Sequence, residues 1–403
     1  MSETEERATA PADLVPRTSL AERDRRHAFV RAAMVEAGLD VLVTSPNTGR
    51  WEQNLADSRW LSSIGGFGTE TLVVFPRAAE PTVFVYNRAE FWRRVQDWIA
   101  DVRDGRNRWA QNVATRLGEI GFSRGRIGMA GLSGLTRSPD GIVPHGLVAG
   151  VASRLPEAEL VDATALLRRL RAIKSAEEIA ILTRSTAIAE GMLLSLDGLR
   201  PGDTDREIYR RLASKQIELG GELPAMILTG SGPSAHHGSF VPTNRRLCSG
   251  DLIVGEIEGR YCGYSGQIVR PVVLGETSLA QNALFEAAAR VFTAVLSAMR
   301  PGVSLGTLAD AYDAAVARES GCEARYPLMH ARGLGDEEPA IITSADRERL
   351  SAVVLRPGMV FVLKPQIVRD GLSGQVGDMV AVTETGATRL GKLPLEPVHI
   401  PLG

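Results

Sequence analysis

The stretch "LRPGMVFVLKPQI", residues 355–367, contains a lysine inside an otherwise apolar run. Pro357 and Gly358 predict a turn, and the Val, Phe and Leu residues that follow predict a buried strand. Lys364 therefore stands where a strand interior would normally have an apolar side chain. Such a lysine either extends its ammonium along the protein surface to water or serves a site, and the neighbouring motifs favour a site.

Polar residues recur in three further segments that combine strand-forming residues with glycine. Glu256 and Glu258 lie two positions apart on a predicted strand, so their side chains share one face. A loop, "GPSAHHGSF" (232–240), adds two adjacent histidines. The three segments are "GEIEGRYCGYSGQIVRP" (255–271), "LMHARGLGDEEP" (328–339) and "GQVGDMVAVTETG" (374–386).

Together these segments resemble the pita-bread metallopeptidase family, which includes aminopeptidase P, prolidase, methionine aminopeptidase and creatinase. The phrase "LRAIKSAEEIAIL" (170–182) is similar to the start of that family's interdomain helix. The resemblance implies an α+β protein in which a C-terminal pita-bread domain, residues 174–403, follows a creatinase-like α/β N-terminal domain, residues 19–165. Residues 1–18 are polar and acidic and predict a flexible tail.

Local patterns agree with this division. Ser19 with Glu22, and Ser175 with Glu178, have the spacing of capping boxes, which predict the starts of two helices. Val-rich runs separated by helical stretches fill the first domain, as expected of an α/β layer. We expect helices and then strands to alternate in blocks after residue 175.

Family members hold two metal ions with two Asp, one His and two Glu. By resemblance, Glu256 and Gln267 stand at the Asp positions, His330 at the His position, and Lys364 and Gly377 at the Glu positions. A set of four carboxylates is thereby reduced to one carboxylate and one ammonium, and its charge falls from −4 to zero. Divalent cations need oxygen ligands and compensating negative charge, so we expect no metal and no other cofactor, and we expect Lys364 to pair with Glu256.

The resemblance implies a site in which protein groups perform acid–base chemistry. We expect His236 or His237 to act as general base and acid, and the loop length leaves open which of them does so. Lys364 would stabilise developing negative charge. The candidate catalytic residues are His236, His237, Glu256, His330, Glu337 and Lys364, and the candidate substrate-binding residues are Arg59, Trp60, Glu258, Gln267, Glu338 and Gln366.

Each of these residues also has a structural alternative. The two loop histidines suit an exposed loop, and His330 suits a hydrogen-bonded core position. Glu258 is as readily exposed as buried, and Asp336 to Glu338 could form a solvated acidic loop. Gln366, two residues after Lys364, is expected to face the same way.

The predicted function is that of a metal-independent, creatinase-like hydrolase acting on a C–N bond in a small amide, amidine or amino-acid derivative. Creatinase supplies a metal-free precedent, although it keeps the Glu where this chain has Lys364. A lyase, isomerase or cyclase could use the same groups, and a catalytically silent protein could bind a small molecule or peptide. A true Xaa-Pro metallopeptidase is the least favoured alternative because replacement ligands are not found.

Composition restricts the partners. The chain of 403 residues has 46 Lys plus Arg against 48 Asp plus Glu, so no basic field predicts nucleic-acid binding. Three cysteines without CxxC spacing, and the absence of a signal-like N-terminus or a long apolar run, predict a cytoplasmic protein without a membrane span. We expect a small-molecule substrate and, by resemblance, a homodimer in which Arg59 and Trp60 lie near the entrance of the partner's cavity.

Overall fold

The computed structural model describes residues 14–134, 137–233 and 241–402, and the chain divides into two compact units, Met1–Arg171 and Ala172–Gly403. Only the end of the predicted flexible tail lies within the described residues. Thr18 is buried there, and its carbonyl accepts a hydrogen bond of 2.8 Å from Trp98 Nε1. Residue 18 is thus held to the N-terminal unit.

The N-terminal unit is built on one mixed sheet with the strand order β4-β3-β2-β1-β5-β6. The strands β1, β5 and β6 pair in parallel, whereas β2 is antiparallel to both of its neighbours. Its strands are β1 Val41–Val43, β2 Thr71–Pro76, β3 Thr82–Val85, β4 Asp101–Asp104, β5 Arg126–Met129 and β6 Glu159–Asp162. Its helices are α1 Leu20–Glu36, α2 Ala56–Ser62, α3 Ala89–Val95, α4 Trp109–Glu119, α5 His145–Arg154 and α6 Thr164–Arg171.

Apolar residues of the central strands form the core of this unit. Val41 and Val43 of β1 and Leu117 of α4 are fully buried in one cluster, as expected for a strand covered on both faces. Helix α1 begins after Ser19, whose hydroxyl accepts from the Glu22 backbone N–H. The predicted helix start and the α/β character of the unit are confirmed.

The C-terminal unit contains two five-stranded sheets and one three-stranded sheet within its described residues. The first sheet has the order β19-β10-β8-β7 with β9 paired to β8, the second β13-β12-β14-β17-β18, and the third β11-β15-β16. The helices are α7 Ala176–Leu194, α8 Asp205–Glu218, α9 Leu279–Ala298, α10 Leu305–Val316 and α11 Asp346–Arg349. The strands are β7 Ile227–Gly232, β8 Leu252–Tyr261, β9 Tyr264–Ile268, β10 Val272–Leu274, β11 Glu323–Arg325, β12 Met329–Arg332, β13 Asp336–Ile341, β14 Val360–Leu363, β15 Gln366–Arg369, β16 Leu372–Gln375, β17 Asp378–Val382, β18 Ala387–Arg389 and β19 Val398–Ile400.

Helix α7 lies directly on the β8–β9 hairpin. It starts with the predicted capping box, in which Ser175 and Glu178 exchange side-chain to backbone hydrogen bonds. Two glycines allow the close approach, because a Cβ at Gly259 would lie 2.1 Å from the Ser185 carbonyl oxygen and a Cβ at Gly266 would lie 2.3 Å from the Thr186 nitrogen. The helix therefore covers one face of the hairpin and leaves the other face for polar residues.

The two units together confirm the predicted class, an α+β C-terminal unit preceded by an α/β unit. Within the described part of the chain, no helix is long and apolar enough to cross a membrane.

Candidate functional site

The β8–β9 hairpin separates apolar from polar side chains. Ile257 and Ile268 pack into the core beneath α7. Because side chains alternate along a strand, Glu256 and Glu258 lie on the opposite face. Gln267 joins them, since it pairs directly with Glu258 across the ladder. The sequence thus places three candidate residues on one face of one hairpin.

Lys364 reaches this face from the end of β14. Its side chain is 1% exposed, and its Nζ donates a hydrogen bond to Glu256 Oε1. The carboxylate of Glu256 is 24% exposed, so water reaches the acidic partner more readily than the basic one. The predicted pairing is confirmed, and the alternative of a lysine extended to water does not apply.

Glu258 is held by a residue that the sequence did not single out. Arg332 of β12 donates from Nη2 to Glu258 Oε1, and both side chains are at most 1% exposed. Arg332 lies two positions after His330 on the same strand, and the two side chains therefore share a face. Of the two alternatives left open for Glu258, the buried one is correct.

Glu337 has a cationic partner of its own. Lys174, just before α7, donates from Nζ to Glu337 Oε2, and the two side chains are 1% and 5% exposed. Gly333 leaves room for the carboxylate, because a Cβ at that position would lie 2.6 Å from Glu337 Oε1. Glu337 belongs to strand β13 and is buried, so the alternative of a solvated acidic loop is wrong for this residue.

The three carboxylates share one electrostatic property: each receives a hydrogen bond from a buried cationic side chain. Burying an isolated charge would cost several kcal/mol, and each pair avoids that cost with an internal partner. The formal charge of the six side chains sums to zero. The pairs are Glu256 with Lys364, Glu258 with Arg332, and Glu337 with Lys174.

His330 lies in β12 between β13 and β14, opposite Val362, and is 4% exposed. Its Nδ1 lies 3.2 Å from the Ala331 carbonyl oxygen. A carbonyl can only accept, so Nδ1 carries the proton in this contact. In the neutral ring Nε2 is then the nitrogen with the lone pair, which suits a proton acceptor.

Gln267 is fully buried, and neither Oε1 nor Nε2 has a hydrogen-bond partner among the residues that the structure describes. Two positions further along, Val269 forms an isolated bridge with Gly377. A Cβ at Gly377 would lie 2.8 Å from Lys364 Cβ, so position 377 faces Lys364. The structure thus gathers positions 256, 267, 364 and 377 around one hairpin.

Asp378 does not replace the side chain that Gly377 lacks. Its Oδ2 accepts from Arg270 at 3.0 Å and from Arg389 at 2.7 Å, and the carboxylate is fully buried. A shift of one residue along a strand reverses the face. Asp378 therefore belongs to a separate arginine cluster.

The expected continuation of one strand from Lys364 to Gln366, on which a shared side-chain direction would depend, is not observed. Strand β14 ends at Leu363, and Gln366 begins β15 in a different sheet. Pro365 lies between Lys364 and Gln366, and it has no N–H to continue the ladder of backbone hydrogen bonds. The Gln366 amide donates to the Ser373 hydroxyl at 2.8 Å. Its role in substrate binding stays a prediction.

The remaining candidates lie apart from this hairpin or outside the described residues. Trp60 is 1% exposed and stacks with the Arg26 guanidinium at 5.3 Å, and Arg59 is buried beside it. Both are core residues of the N-terminal unit in the single chain, and their place at an entrance stays a prediction about a dimer. His236 and His237 fall outside the described residues, as does the side chain of Glu338.

Sequence reasoning missed Lys174 and Arg332, the partners of two candidate carboxylates. A signal existed for Arg332, because its spacing from His330 predicts a shared face. Lys174 was visible only as the residue before a capping box, and its partner lies 163 positions away. That distance in sequence leaves no local pattern from which the pair could be inferred.

Comparison with known proteins agrees with the fold and the motifs. Residues 180–384 match Metallopeptidase family M24, and residues 26–173 match the Creatinase/Prolidase N-terminal domain. The probable dipeptidase PepE of Mycobacterium tuberculosis is 30% identical over 403 residues, covering 94% of this chain and 96% of that protein. A creatinase from Bacillus sp. is 25% identical over 406 residues, covering 95% of this chain and 94% of that protein.

A solved structure of a dipeptidase has a similar fold over nearly the whole chain. The crystal structure of dipeptidase PepE from Mycobacterium ulcerans has a TM-score of 0.70 and 27% sequence identity, covering 96% of this chain and all of that one, 100%. The chain belongs to metallopeptidase family M24, with a creatinase-type N-terminal domain. The predicted family is confirmed, and membership places the chain among the M24 hydrolases.

The family implies metal ions, and the residues gathered here do not fit them. Among the described residues, no group of three or more His, Cys, Asp or Glu side chains could hold a metal ion. The carboxylate nearest to such a role, Glu256, already accepts from the Lys364 ammonium. An ammonium in that place repels a second cation by on the order of several kcal/mol at an effective dielectric constant near 20.

Proposed function

We propose that this protein is a metal-independent hydrolase that cleaves a C–N bond in a small amide, amidine or amino-acid derivative. One observation carries the proposal: the buried ammonium of Lys364 donates to Glu256. This contact supplies a fixed positive charge from the chain itself. A hydrolase needs positive charge where the attacked group becomes negative, and a preorganised cation in a water-poor site serves that purpose.

Each candidate residue has a role that its position supports. Lys364, 1% exposed and therefore little screened by water, would stabilise negative charge developing on the substrate. Glu256 is partly exposed and would orient a water molecule or a substrate nitrogen. His330, protonated on Nδ1 and lone-pair-bearing on Nε2, would accept a proton and return it to the leaving nitrogen.

The substrate class is supported by the names of the relatives, a probable dipeptidase and a creatinase. Both names indicate small nitrogen-containing substrates. The zero charge sum of the three ion pairs agrees with a substrate whose reacting group is neutral, such as an amide.

The test combines metal analysis with an activity screen. We expect the purified protein to hold less than one equivalent of Mn, Zn, Co or Fe. It should hydrolyse at least one member of a panel of dipeptides, including Xaa-Pro dipeptides, N-acyl amino acids and creatine, with the same rate in the presence of a chelator. Two tightly held metal ions per chain, or hydrolysis only after metal addition, would contradict the proposal.

Substitution of lysine provides the control. Lys364→Met should abolish the chelator-resistant hydrolysis, whereas Lys215→Met should leave it unchanged. Lys215 also pairs with a glutamate, Glu218 at 2.5 Å, but on a half-exposed helix surface. Equal losses in both variants would show that the effect is not specific to the site.

We also propose a homodimer, as the resemblance to creatinase implies. Light scattering at micromolar concentration should give twice the mass of one chain, 43.3 kDa. A monodisperse monomer would count against this assembly.

A further inference from the structure

The amide of Gln267 is buried and has no hydrogen-bond partner among the described residues. The side chain is fully buried, and neither its oxygen nor its nitrogen finds a hydrogen-bond partner within the described part of the chain. A buried donor or acceptor that makes no hydrogen bond lowers the stability of the folded protein. A fold keeps such a group where a ligand or an ordered water completes it.

The surroundings of Gln267 belong to the site already described. Glu258 lies directly across the ladder, but its carboxylate is engaged by Arg332. Glu256, on the same face of the hairpin, is 24% exposed, so solvent reaches this face at Glu256. Gln267 is therefore an unsatisfied neutral amide beside two ion pairs.

We propose that Gln267 determines substrate specificity by pairing with a neutral, planar group that both donates and accepts, namely a carboxamide or ureido group. The amide oxygen can only accept and the amide nitrogen can only donate. A carboxamide satisfies both in one plane. An ionised carboxylate would leave Oε1 without a donor, and an ammonium would leave Nε2 without an acceptor.

Charge supports the same choice. The two ion pairs, Glu256 with Lys364 and Glu258 with Arg332, sum to zero charge, so these four described side chains offer no excess charge to an ionic ligand. An unpaired ligand charge in a desolvated site is costly. The inference rests on the proposed function, since it names the group that the hydrolase would recognise, but its test needs no turnover.

Stability measurements on two glutamine variants test the first half of the inference. Gln267→Met removes two unsatisfied atoms and should leave the melting temperature unchanged or raise it. Gln96 is the matched control: it is also buried, but its oxygen accepts from the Ile99 N–H at 2.9 Å and its nitrogen donates to the Ile99 carbonyl at 2.9 Å. Gln96→Met should lower the melting temperature by a few degrees.

Binding of three probes of matched size tests the second half. Propionamide, propionate and propylammonium are compared by saturation-transfer NMR and titration at millimolar concentrations, the range expected for ligands this small. The wild-type protein should bind propionamide most tightly, and Gln267→Met should weaken that binding by about tenfold or more, which is the value of one or two neutral hydrogen bonds. Gln96→Met should bind propionamide as the wild type does.

The outcomes separate the inference from the proposed function. Two results would overturn the inference: a melting temperature of Gln267→Met as low as that of Gln96→Met, or an affinity of Gln267→Met for propionamide equal to that of the wild type. Either result would mean that a resident water molecule satisfies the hydrogen bonds of the Gln267 amide. No preference for propionamide in the wild type would overturn it as well. Selective propionamide binding without hydrolysis of any panel substrate would leave the inference standing and remove the proposed function.

Discussion

Lys364 and Glu256 form an ion pair whose two ends differ in exposure: the lysine side chain is 1% exposed and the glutamate side chain 24%. The lysine therefore depends on the glutamate more than the glutamate depends on the lysine. A fully buried charge that loses its partner has no solvent to replace it, whereas water can reach Glu256 if the lysine is removed.

This asymmetry predicts unequal costs for the two single substitutions. Glu256→Gln, which leaves a buried ammonium without its carboxylate, should lower the free energy of unfolding by about 3–5 kcal/mol. Lys364→Met should cost less, about 1–3 kcal/mol. The double variant should lose less than the sum of the single losses. Denaturant unfolding of all four proteins gives these values.

The exposed pair Arg124 and Glu157, at 2.9 Å and 78% and 60% exposed, is the control for this cycle. Its coupling should be no more than about 1 kcal/mol. If the Lys364 cycle is additive within about 0.5 kcal/mol, the ion pair does not contribute to stability in solution, and Lys364 does not supply the fixed cation that the proposed metal-independent reaction requires.

Lys174 and Glu337 provide the symmetric counterpart, because their side chains are 1% and 5% exposed. Here Lys174→Met and Glu337→Gln should cost similar amounts, about 3–5 kcal/mol each, since either change leaves a buried charge behind. Combining them should recover part of the loss. Denaturant unfolding of the two single variants and the double variant measures these losses. A Glu337→Gln variant as stable as the wild type would contradict a stabilising role of this ion pair.

The sequence was sufficient for the fold, for both residues of one ion pair and for the carboxylate of each of the other two pairs. Motif spacing predicted the family and the pairing of Lys364 with Glu256, because the resemblance gave both residues a position in one site. Arg332 and Lys174 lie 74 and 163 positions from their partners, Glu258 and Glu337, so these contacts depend on how the sheets assemble. The expected strand from Lys364 to Gln366 does not form, because Pro365 has no N–H to continue the ladder.

The N-terminal unit has a pH-dependent element of its own. His27 is 4% exposed, and its Nε2 lies 2.9 Å from the Leu61 carbonyl oxygen, to which it donates. Burial holds the pKa of His27 below its ordinary value of 6.5. The imidazole of His27 therefore binds a proton more readily in the unfolded chain than in the folded chain. The stability that the neutral, buried ring contributes above pH 6.5 is lost as the pH falls below 6.5.

The expected result is a free energy of unfolding that decreases from about pH 6.5 downward. His27→Gln, which can still donate to Leu61, should flatten that part of the curve. His145, an exposed histidine of α5, gives the control variant His145→Gln, in which the decrease should persist. A wild-type curve that is level between neutral and mildly acidic pH would contradict the assignment.

Introducing carboxylates tests the proposal that the charge of these side chains disfavours a metal ion at this site. Lys364→Glu combined with Gln267→Asp would give, with Glu256, three carboxylates in place of one carboxylate and one ammonium. Position 377 is left as glycine, because a Cβ there would lie 2.8 Å from the Cβ of residue 364. The double variant should bind Mn or Zn, since oxygen ligands and negative charge are then both present. A free metal concentration of about 100 times the dissociation constant should raise the free energy of unfolding by about 2.7 kcal/mol.

Lys364→Met is the control, because it removes the ammonium but adds no ligand. Its free energy of unfolding should not increase when the metal is added. A folded double variant that stays indifferent to both metals would mean that the backbone around the hairpin, and not the charge of these side chains, excludes a metal ion.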